Sequence, residues 1–212
     1  MSEMQVHGLP TQQERSRRTR DSLVKAGRRL LQERPLTEVS IAEIAREAGV
    51  ATGSFYRRFA DKDTFELAVL EEALRQGREL ILAVYEKHTD LFSLSTEVAR
   101  LTINRHREFA PIYRAAILRA YQNPGMDTPA RRHGRFLITT FLDRAKILLG
   151  RDLTESEHRR ITMSFQILFG AVINALLGRP GPYMIEDKEF IDEVTRVFSN
   201  NIRSAFEEGG ED

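Results

Sequence analysis

The chain has 212 residues, of which 41% are hydrophobic and 30% are charged, with no cysteine and a formal net charge of +1. The lack of cysteine excludes disulfide bonds, and no run of about 18 apolar residues is long enough to span a membrane. The N-terminus also lacks the apolar core of a signal peptide. This composition is typical of an intracellular protein. We predict a globular protein of the cytoplasm with one sizeable core or two small domains.

The N-terminal region carries an excess of positive charge. Residues 1–60 contain 11 Lys and Arg against 7 Asp and Glu, so the rest of the chain is net negative. We predict that residues 1–15 form a disordered basic arm, which could follow phosphates or enter a minor groove. A solvated tail without a DNA role is the alternative. The arginines placed immediately before the first predicted helix are Arg15, Arg17, Arg18 and Arg20.

Three short helical patterns follow, in residues 16–62. The first covers residues 19–33 and supports the other two. In the second, Ser40 can cap the helix while Glu43 reaches back to the Ser40 amide, closing a capping box. Apolar residues then recur at helical spacing until Gly49, which can adopt the left-handed conformation that turns the chain.

The third pattern, residues 52–58, has two different faces. Phe55 and Phe59 lie four residues apart on its inner side. Its outer side consists of Thr52, Gly53, Ser54, Tyr56, Arg57 and Arg58. Small residues allow close approach to a major groove, and polar or cationic side chains reach phosphates and base edges. The pattern therefore predicts a helix-turn-helix DNA-binding domain over residues 16–62; the alternative is a solvated basic face beside a packing tyrosine.

The same residues carry a family resemblance. The segment 40–62 resembles the DNA-binding signature of the TetR (tetracycline-repressor-like) family. The matching positions are Ala48, Gly49, Val50, Gly53, Tyr56, Phe59 and Lys62. Two positions depart from it: Phe65 replaces a common leucine, and Ala51 stands where the family often has serine. Hydroxyl capping of the third helix would therefore fall to Thr52.

The resemblance implies roles for individual residues. Tyr56 and Lys62 would contact phosphates, while the small and polar residues between 52 and 57 would face the groove. Together with the arm and the capping serine, the predicted DNA-binding residues are Arg17, Arg18, Ser40, Thr52, Gly53, Ser54, Tyr56, Arg57 and Lys62.

Residues 63–212 are predicted to form a helical ligand-binding and dimerisation domain. Asp61 can cap a long fourth helix, and Thr154 with Glu157 forms a capping box at the start of an eighth. Glycine and proline clusters separate the helices between them, and no alternating strand pattern occurs. The fold class is therefore all-α with about nine helices, which is also the count that the resemblance implies.

The eighth and ninth helices have apolar residues spaced alternately four and three apart, as in a coiled-coil seam. These residues are Ile161, Phe165, Leu168, Val172, Phe190, Val194 and Val197. The eighth helix is also apolar on its other faces, so it must be covered on several sides. The resemblance implies a four-helix homodimer interface, which suits a small DNA-binding motif; burial within a single domain is the alternative.

Helices five to eight carry polar or aromatic residues on otherwise buried faces. The candidate ligand-binding residues are His106, Tyr113, Tyr121, Phe136, Thr140, Phe165, Gln166, Phe169 and Asn174. In the family, the core of these helices encloses a small-molecule effector. Aromatic residues with few formal charges favour an apolar or aromatic ligand with one or two polar handles.

The sequence offers little enzymatic chemistry. No histidine pair has the i, i+4 spacing of a metal site, and no glycine-rich phosphate loop or cysteine nucleophile is present. Glu155 and His158 have Glu-x-x-His spacing, but a di-iron bundle needs two such pairs. We therefore predict no metal or cofactor, and a repressor that a small molecule releases from operator DNA. Activation, a helical metal or lipid-modifying enzyme, and a ligand carrier without DNA function are the alternatives.

Overall fold

The computed structural model describes residues 11–178 and 181–207, and every regular element in these residues is helical. The prediction of an all-α fold with about nine helices is confirmed for this part of the chain. A short 3-10 turn, Leu36–Glu38, precedes the second helix. The helices are α1 (Gln12–Glu33), α2 (Ile41–Glu47), α3 (Thr52–Tyr56), α4 (Lys62–Lys87), α5 (Leu91–Glu108), α6 (Ala110–Gln122), α7 (Pro129–Leu149), α8 (Glu155–Leu176) and α9 (Lys188–Glu207).

The chain divides into two compact units, the first ending at Val69 and the second beginning at Leu70. The sequence-based boundary between residues 62 and 63 lies two turns earlier on α4. The reason is visible at Gly27 in α1, where an added Cβ would lie 2.9 Å from Val69 and only 2.3 Å from Phe65. The first turns of α4 therefore pack against α1 and belong to the first unit. None of the described helices is long and apolar enough to cross a membrane.

An aromatic cluster forms the centre of the first unit. The ring of Phe55 lies 5.5 Å from that of Phe59 and 5.2 Å from that of Phe65, measured between centroids. All three rings are at most 3% exposed. Ile44 and Leu23 are fully buried in the same unit, so the inner faces of α1 to α4 share one apolar core.

Helix α1 begins earlier than the sequence analysis predicted. Thr11 Oγ1 accepts a hydrogen bond from the Glu14 amide at 3.2 Å, and the Glu14 carboxylate accepts one from the Thr11 amide at 2.7 Å. This capping box starts the helix at Gln12 rather than at residue 19. The prediction that Arg17 and Arg18 lie on a flexible arm is therefore wrong, because both lie on a helix. Residues 1–10 of the predicted arm lie outside the described residues.

Helix α2 is capped by only half of the predicted capping box. Ser40 Oγ accepts a hydrogen bond from the Glu43 amide at 3.1 Å. The Glu43 carboxylate instead pairs with the Arg34 guanidinium, which lowers the pKa of Glu43 below its usual value. A charged partner within reach outcompetes a backbone amide for the carboxylate.

The turn between α2 and α3 has the predicted glycine geometry. Gly49 has φ +68°, a conformation in which a side chain is strained. Helix α3 then starts without a side-chain cap, because its N-cap residue is Ala51 and Thr52 is already the first helical residue. The prediction that Thr52 supplies the missing hydroxyl cap is therefore wrong.

Helix α8 forms the centre of the second unit. Its start matches the predicted capping box, with Thr154 and Glu157 bonded reciprocally, and two Arg151 nitrogens bind the Glu157 carboxylate at 2.6 and 2.9 Å. Helix α9 packs against both α5 and α8. The Phe165 ring is fully buried, 5.4 Å from the Phe141 ring and 5.0 Å from the Phe198 ring.

Candidate nucleic-acid interface and ligand cavity

The two faces of α3 separate as the sequence predicted. Phe55 is fully buried, whereas Tyr56 is 60% exposed and Thr52 and Arg57 are exposed. Arg57 donates a hydrogen bond to Ser54 Oγ at 2.9 Å, which orients its guanidinium along the outer face. The buried phenylalanine anchors the helix, and the polar residues next to it are left for solvent or a partner.

Gly53 lies on this outer face and has no packing reason to be a glycine. A Cβ on Gly53 would meet no atom of the described chain within 4 Å, and φ at this position is not positive. Glycine in a helix costs roughly 0.5–1 kcal/mol relative to alanine. A residue that weakens its own helix without an internal contact points to close approach by a molecule outside the chain.

Basic groups on α1 are also exposed, and one at the start of α4 is half-buried. The Arg17 side chain is 86% exposed, with Asp21 at 3.9 Å as its nearest acidic group, and Arg18 is exposed. Lys62 is half-buried and begins α4. Exposed pairs at such distances contribute little, so these cations keep most of their charge for a partner.

Two polar residues near the outer face of α3, Arg58 and Ser40, are already engaged in hydrogen bonds within the first unit. Arg58 donates to the Ser16 carbonyl at 3.1 Å, which fastens the end of α3 to α1. Arg58 therefore has a structural role, although its sequence position suggested an outward one. Ser40 is exposed but its hydroxyl already accepts from the Glu43 amide.

The second unit contains a cavity of about 560 Å³. Its walls come from five helices. The lining residues are Leu74, His106, Tyr113, Ile117, Ala120, Tyr121, Ala130, Arg131, His133, Gly134, Arg135, Ile138, Phe169, Val172 and Ile173. Four of the predicted ligand-binding residues, His106, Tyr113, Tyr121 and Phe169, are brought together here. The size and the apolar lining are typical of small-molecule sites.

The polar end of the cavity is organised around His106. Its ring stacks on the Tyr113 ring with centroids 4.1 Å apart, and its Nδ1 lies 2.8 Å from the Thr102 carbonyl oxygen. Burial lowers the pKa of His106 to about 4, with the charge of Arg105 acting in the same direction, and burial raises the pKa of Tyr113 to about 12. Both side chains are therefore neutral at pH 7.

His133 is a buried cavity residue that the sequence analysis missed, as it missed Arg131 and Arg135. It is 8% exposed, and its Nδ1 has no hydrogen-bond partner among the residues that the structure describes. Burial lowers the pKa of His133 to about 4, assisted by His106, Arg78 and Arg105. Its position on α7, four residues after Pro129, was a signal in the sequence, but His133, unlike His106, was considered only as a possible metal ligand.

Five predicted ligand-binding residues lie elsewhere. Phe165 belongs to the aromatic core, Gln166 is exposed, and Asn174 is exposed on a groove between α8 and α9. Phe136 stacks beside His133 at 6.3 Å without lining the cavity, and the Thr140 hydroxyl donates to the Phe136 carbonyl at 2.7 Å. A helix presents several polar positions, and only its rotation about its axis decides which of them face a cavity.

The predicted seam of α8 faces into its own chain. Ile161, Phe165, Leu168 and Val172 are at most 1% exposed, so the assignment of these four to a dimer interface is wrong. They pack inside the unit because they form the most continuous apolar stripe of the helix. On α9, Phe190 is likewise buried at 7%.

A second apolar stripe of α8 remains uncovered. Met163 is 52% exposed and Ile167 is 41% exposed. Val197 on α9 is 40% exposed and Val194 is half-buried, so the predicted placement of both in a dimer interface stays a prediction. A groove of about 450 Å³ runs between these two helices. On α8 the exposed apolar surface therefore lies one face away from the predicted one, whereas on α9 it includes the predicted residues Val194 and Val197.

Within residues 11–178 and 181–207, no group of three or more His, Asp or Glu side chains is placed to hold a metal ion. Glu155 is exposed, and its carboxylate pairs with Arg159 on the next turn. His158 is also exposed. This ion pair accounts for Glu155 as a surface residue at the start of α8.

Helices α2 and α3, joined by the turn at Gly49, and the exposed outer face of α3 define a helix-turn-helix in the first unit. The second unit is also helical. Residues 23–69 match the model of the bacterial regulatory proteins of the tetR family. An uncharacterized HTH-type transcriptional regulator of Haemophilus influenzae is 35% identical over 117 residues, which cover 48% of this chain and 57% of that protein. Residues 23–69 therefore belong to the tetR family of bacterial regulatory proteins, and the chain spans little more than half the length of this relative.

Solved structures of similar fold extend over most of the chain. A transcriptional regulator from Cytophaga hutchinsonii superposes with a TM-score of 0.67 at 14% identity, covering 89% of this chain and 96% of that one. A tetR-family regulator from Streptomyces coelicolor gives 0.63 at 17% identity, covering 89% and 82%. FadR from Bacillus subtilis, solved in complex with stearoyl-CoA, gives 0.55 at 14% identity, covering 86% and 98%. At these identities the similarity is one of fold.

Proposed function

We propose that this protein is a sequence-specific DNA-binding transcriptional regulator that acts as a repressor and is released from its operator by a small molecule. The observation that carries the proposal is the outer face of α3. It presents Thr52, Gly53, Tyr56 and Arg57 outward while Phe55 fixes the helix from within. Glycine at position 53 serves no internal contact, which fits close approach to a DNA backbone. The proposal places the protein in the cytoplasm, where the chromosome is accessible.

A homodimer is part of the proposal. One short recognition helix contacts too few bases for specificity, and two-fold helix-turn-helix proteins place their recognition helices about 34 Å apart. The uncovered stripe formed by Met163, Ile167, Val194 and Val197 supplies an apolar surface for a second copy. In a two-fold dimer the same patch contacts itself, so the α8 and α9 of each copy would form a four-helix interface.

The cavity in the second unit is the proposed effector site. Its apolar walls and few polar groups suit a small molecule. FadR of Bacillus subtilis, which has this fold, was solved with stearoyl-CoA, and this supports a ligand-binding role for the corresponding unit. An effector releases DNA only if it binds the DNA-free state more tightly than the DNA-bound state, and the change in DNA affinity equals that difference.

The decisive experiment is selection of bound sequences from a random pool of duplex DNA. We expect an enriched, two-fold symmetric site whose half-sites are about one helical turn apart. Binding to that site should weaken steeply as salt rises, because phosphate contacts release counterions. An unenriched pool after several rounds would contradict DNA recognition and favour a ligand carrier, and an affinity insensitive to salt would contradict phosphate contacts.

A further inference from the structure

The cavity adjoins a small chamber at its polar end. The chamber has a volume of about 10 Å³, close to the space that one water molecule or hydroxyl group requires. His106, Tyr113 and His133 line both spaces. Thr102 and Arg105 line the chamber but not the cavity. A ligand in the cavity could therefore reach the chamber with one small polar group.

The hydrogen-bonding state of His106 is determined by its neighbour. The Thr102 carbonyl oxygen can only accept, so the Nδ1 atom of His106 at 2.8 Å carries the hydrogen. The neutral ring then has an unprotonated Nε2 atom, which is a hydrogen-bond acceptor. A group that fills the chamber therefore has to donate a hydrogen bond to His106 Nε2.

Three other polar atoms of the chamber-lining residues lack partners. Thr102 Oγ1, Arg105 Nε and His133 Nδ1 are buried, and none of them forms a hydrogen bond within the described part of the chain. Thr102 is 4% exposed and His133 is 8% exposed. Leaving such groups unsatisfied is unfavourable, because each loses its hydrogen bond to water without gaining another. Side chains of this kind on two helices point to a polar group that binds between them.

The charge around the chamber disfavours a carboxylate ligand. Arg105 is the cation in the lining, and its Nη1 pairs with Glu108 at 2.6 Å while its Nη2 donates to the Ala73 carbonyl at 3.2 Å. Both Nη atoms are therefore engaged and Glu108 offsets the charge, while the buried Nε atom has no hydrogen-bond partner among the described residues. A carboxylate has no hydrogen to donate to the acceptor nitrogen of His106, whereas a hydroxyl group both donates and accepts.

The remainder of the cavity is mainly apolar. Its walls include Leu74, Ile117, Ile138, Phe169 and Ile173. Two arginines also line it, and both are engaged within the chain: Arg131 donates to backbone carbonyl oxygens, among them that of Ala120 at 3.1 Å, and Arg135 pairs with Asp127 at 2.5 Å. Burying apolar ligand surface against the walls favours binding. This lining supplies affinity without selecting a charge, so the chamber is the part of the site that selects the ligand.

We propose that the cavity binds an uncharged aromatic or alicyclic molecule that carries a hydroxyl group, with the hydroxyl in the chamber donating to His106 Nε2 and accepting from Thr102 Oγ1. The ligand would be the effector of the regulator described above. Only its effect on DNA binding rests on the proposed function; its binding to the cavity does not. Binding itself is measured without DNA, so failure of DNA recognition and failure of this proposal give different results.

The test compares three naphthalene probes that differ at one position: 2-naphthol, 2-methoxynaphthalene and 2-naphthoate. The protein has no tryptophan, so probe fluorescence is measured without tryptophan emission. We expect 2-naphthol to bind about tenfold more tightly than either analogue, since one neutral hydrogen bond contributes about that factor. Calorimetry in buffers of different ionisation enthalpy should show no proton uptake with 2-naphthol.

Variants of the full chain assign the hydrogen bonds. His106→Phe keeps a ring against Tyr113 but removes the acceptor, and Thr102→Val removes the hydroxyl at nearly constant shape. Each should weaken 2-naphthol binding about tenfold and leave 2-methoxynaphthalene binding unchanged. His158→Phe makes the same replacement at an exposed position on α8 and should change neither. Thr102→Val alone suffices if His106→Phe does not fold.

Several results would overturn the proposal. These are equal affinities for 2-naphthol and its methyl ether, tighter binding of 2-naphthoate with proton uptake, absence of 2-naphthol binding at its solubility limit, or wild-type affinity in Thr102→Val. Tighter 2-naphthoate binding would identify an anionic ligand that protonates the histidines. Because each readout is independent of operator DNA, none depends on the selection experiment.

Discussion

The imidazole of His106 on α5 stacks on the phenol of Tyr113 on α6, with ring centroids 4.1 Å apart and ring planes 30° apart. The contact joins two helices at the polar end of the cavity, and burial keeps both side chains neutral. His133 on α7 lines the same cavity. Two buried, uncharged histidines in one unit give its stability a defined dependence on pH.

Stability should fall as the pH drops from about 6.5 towards 4, the range between the unfolded and folded pKa values of these histidines. The unfolded chain binds protons in this range and the folded chain does not, so acid favours unfolding. Between pH 7 and pH 5 the linkage amounts to about 1 to 2 kcal/mol for His133. Urea denaturation of the His133→Gln variant should show a correspondingly smaller loss than the wild type. His158→Gln, at an exposed site, should retain the wild-type dependence, and equal slopes in all three proteins would refute the assignment.

DNA contacts are tested by three alanine substitutions on the outer face of the first unit. Tyr56→Ala and Lys62→Ala should weaken operator and random DNA alike, because phosphate contacts carry no sequence information. Lys62→Ala should also reduce the salt dependence, because it removes a cation that releases counterions. Arg57→Ala should reduce discrimination between bases by about 1 to 3 kcal/mol. Fluorescence anisotropy with both DNAs separates the two outcomes.

Arg159→Ala on the exposed start of α8 is the matched control for loss of a surface cation and should bind like the wild type. If the three substitutions in the first unit also leave both affinities unchanged, α3 is not the DNA-reading helix.

The dimer surface is tested by charges on the uncovered stripe. Ile167→Asp and Val197→Asp place a carboxylate on residues that are 41% and 40% exposed, so the monomer should fold while the dimer loses at least a hundredfold in affinity, about 3 kcal/mol. Analytical ultracentrifugation measures this. Ile147→Asp makes the same change on α7, at 67% exposure, and should remain dimeric. A dimer that survives both stripe variants would have to use another surface.

Phe165→Asp gives a different expectation. The residue is fully buried among aromatic rings, so a carboxylate there should unfold the second unit rather than merely separate two copies. Circular dichroism distinguishes an unfolded second unit from a folded monomer. A folded monomer would support the predicted position of Phe165 in the dimer interface.

The close approach of α1 and α4 depends on Gly27. In Gly27→Ala the new Cβ would lie 2.3 Å from the Phe65 ring, so the helices must separate, at a cost of about 1 to 3 kcal/mol. Gly53→Ala in the same unit has open space around the new Cβ and should leave stability equal or slightly higher while hindering DNA binding. Thermal unfolding checks the first effect; an unchanged midpoint for Gly27→Ala would contradict the packing.

Local chemistry in the sequence determined most of the helices. The Gly49 turn, the Thr154 capping box and the exposed face of α3 each depend on residues within a few positions of one another, and the structure matches these predictions. The start of α1 was also encoded locally, by Thr11 and Glu14, although the dense arginines after them suggested a disordered arm. These features could be predicted because capping and turn geometry involve only neighbouring backbone groups.

Tertiary packing decided what periodicity left open. Helix α8 is apolar on two stripes, and only its contacts with α5 and α9 place Phe165 inward and leave Ile167 outward. The cavity likewise depends on the rotation of separate helices, which brings Thr102, His106 and His133 together but turns Gln166 to the surface. The sequence alone determined which segments are helices and which face of α3 is polar; the orientation of each helix about its own axis was decided by the competition among apolar surfaces distant in the chain.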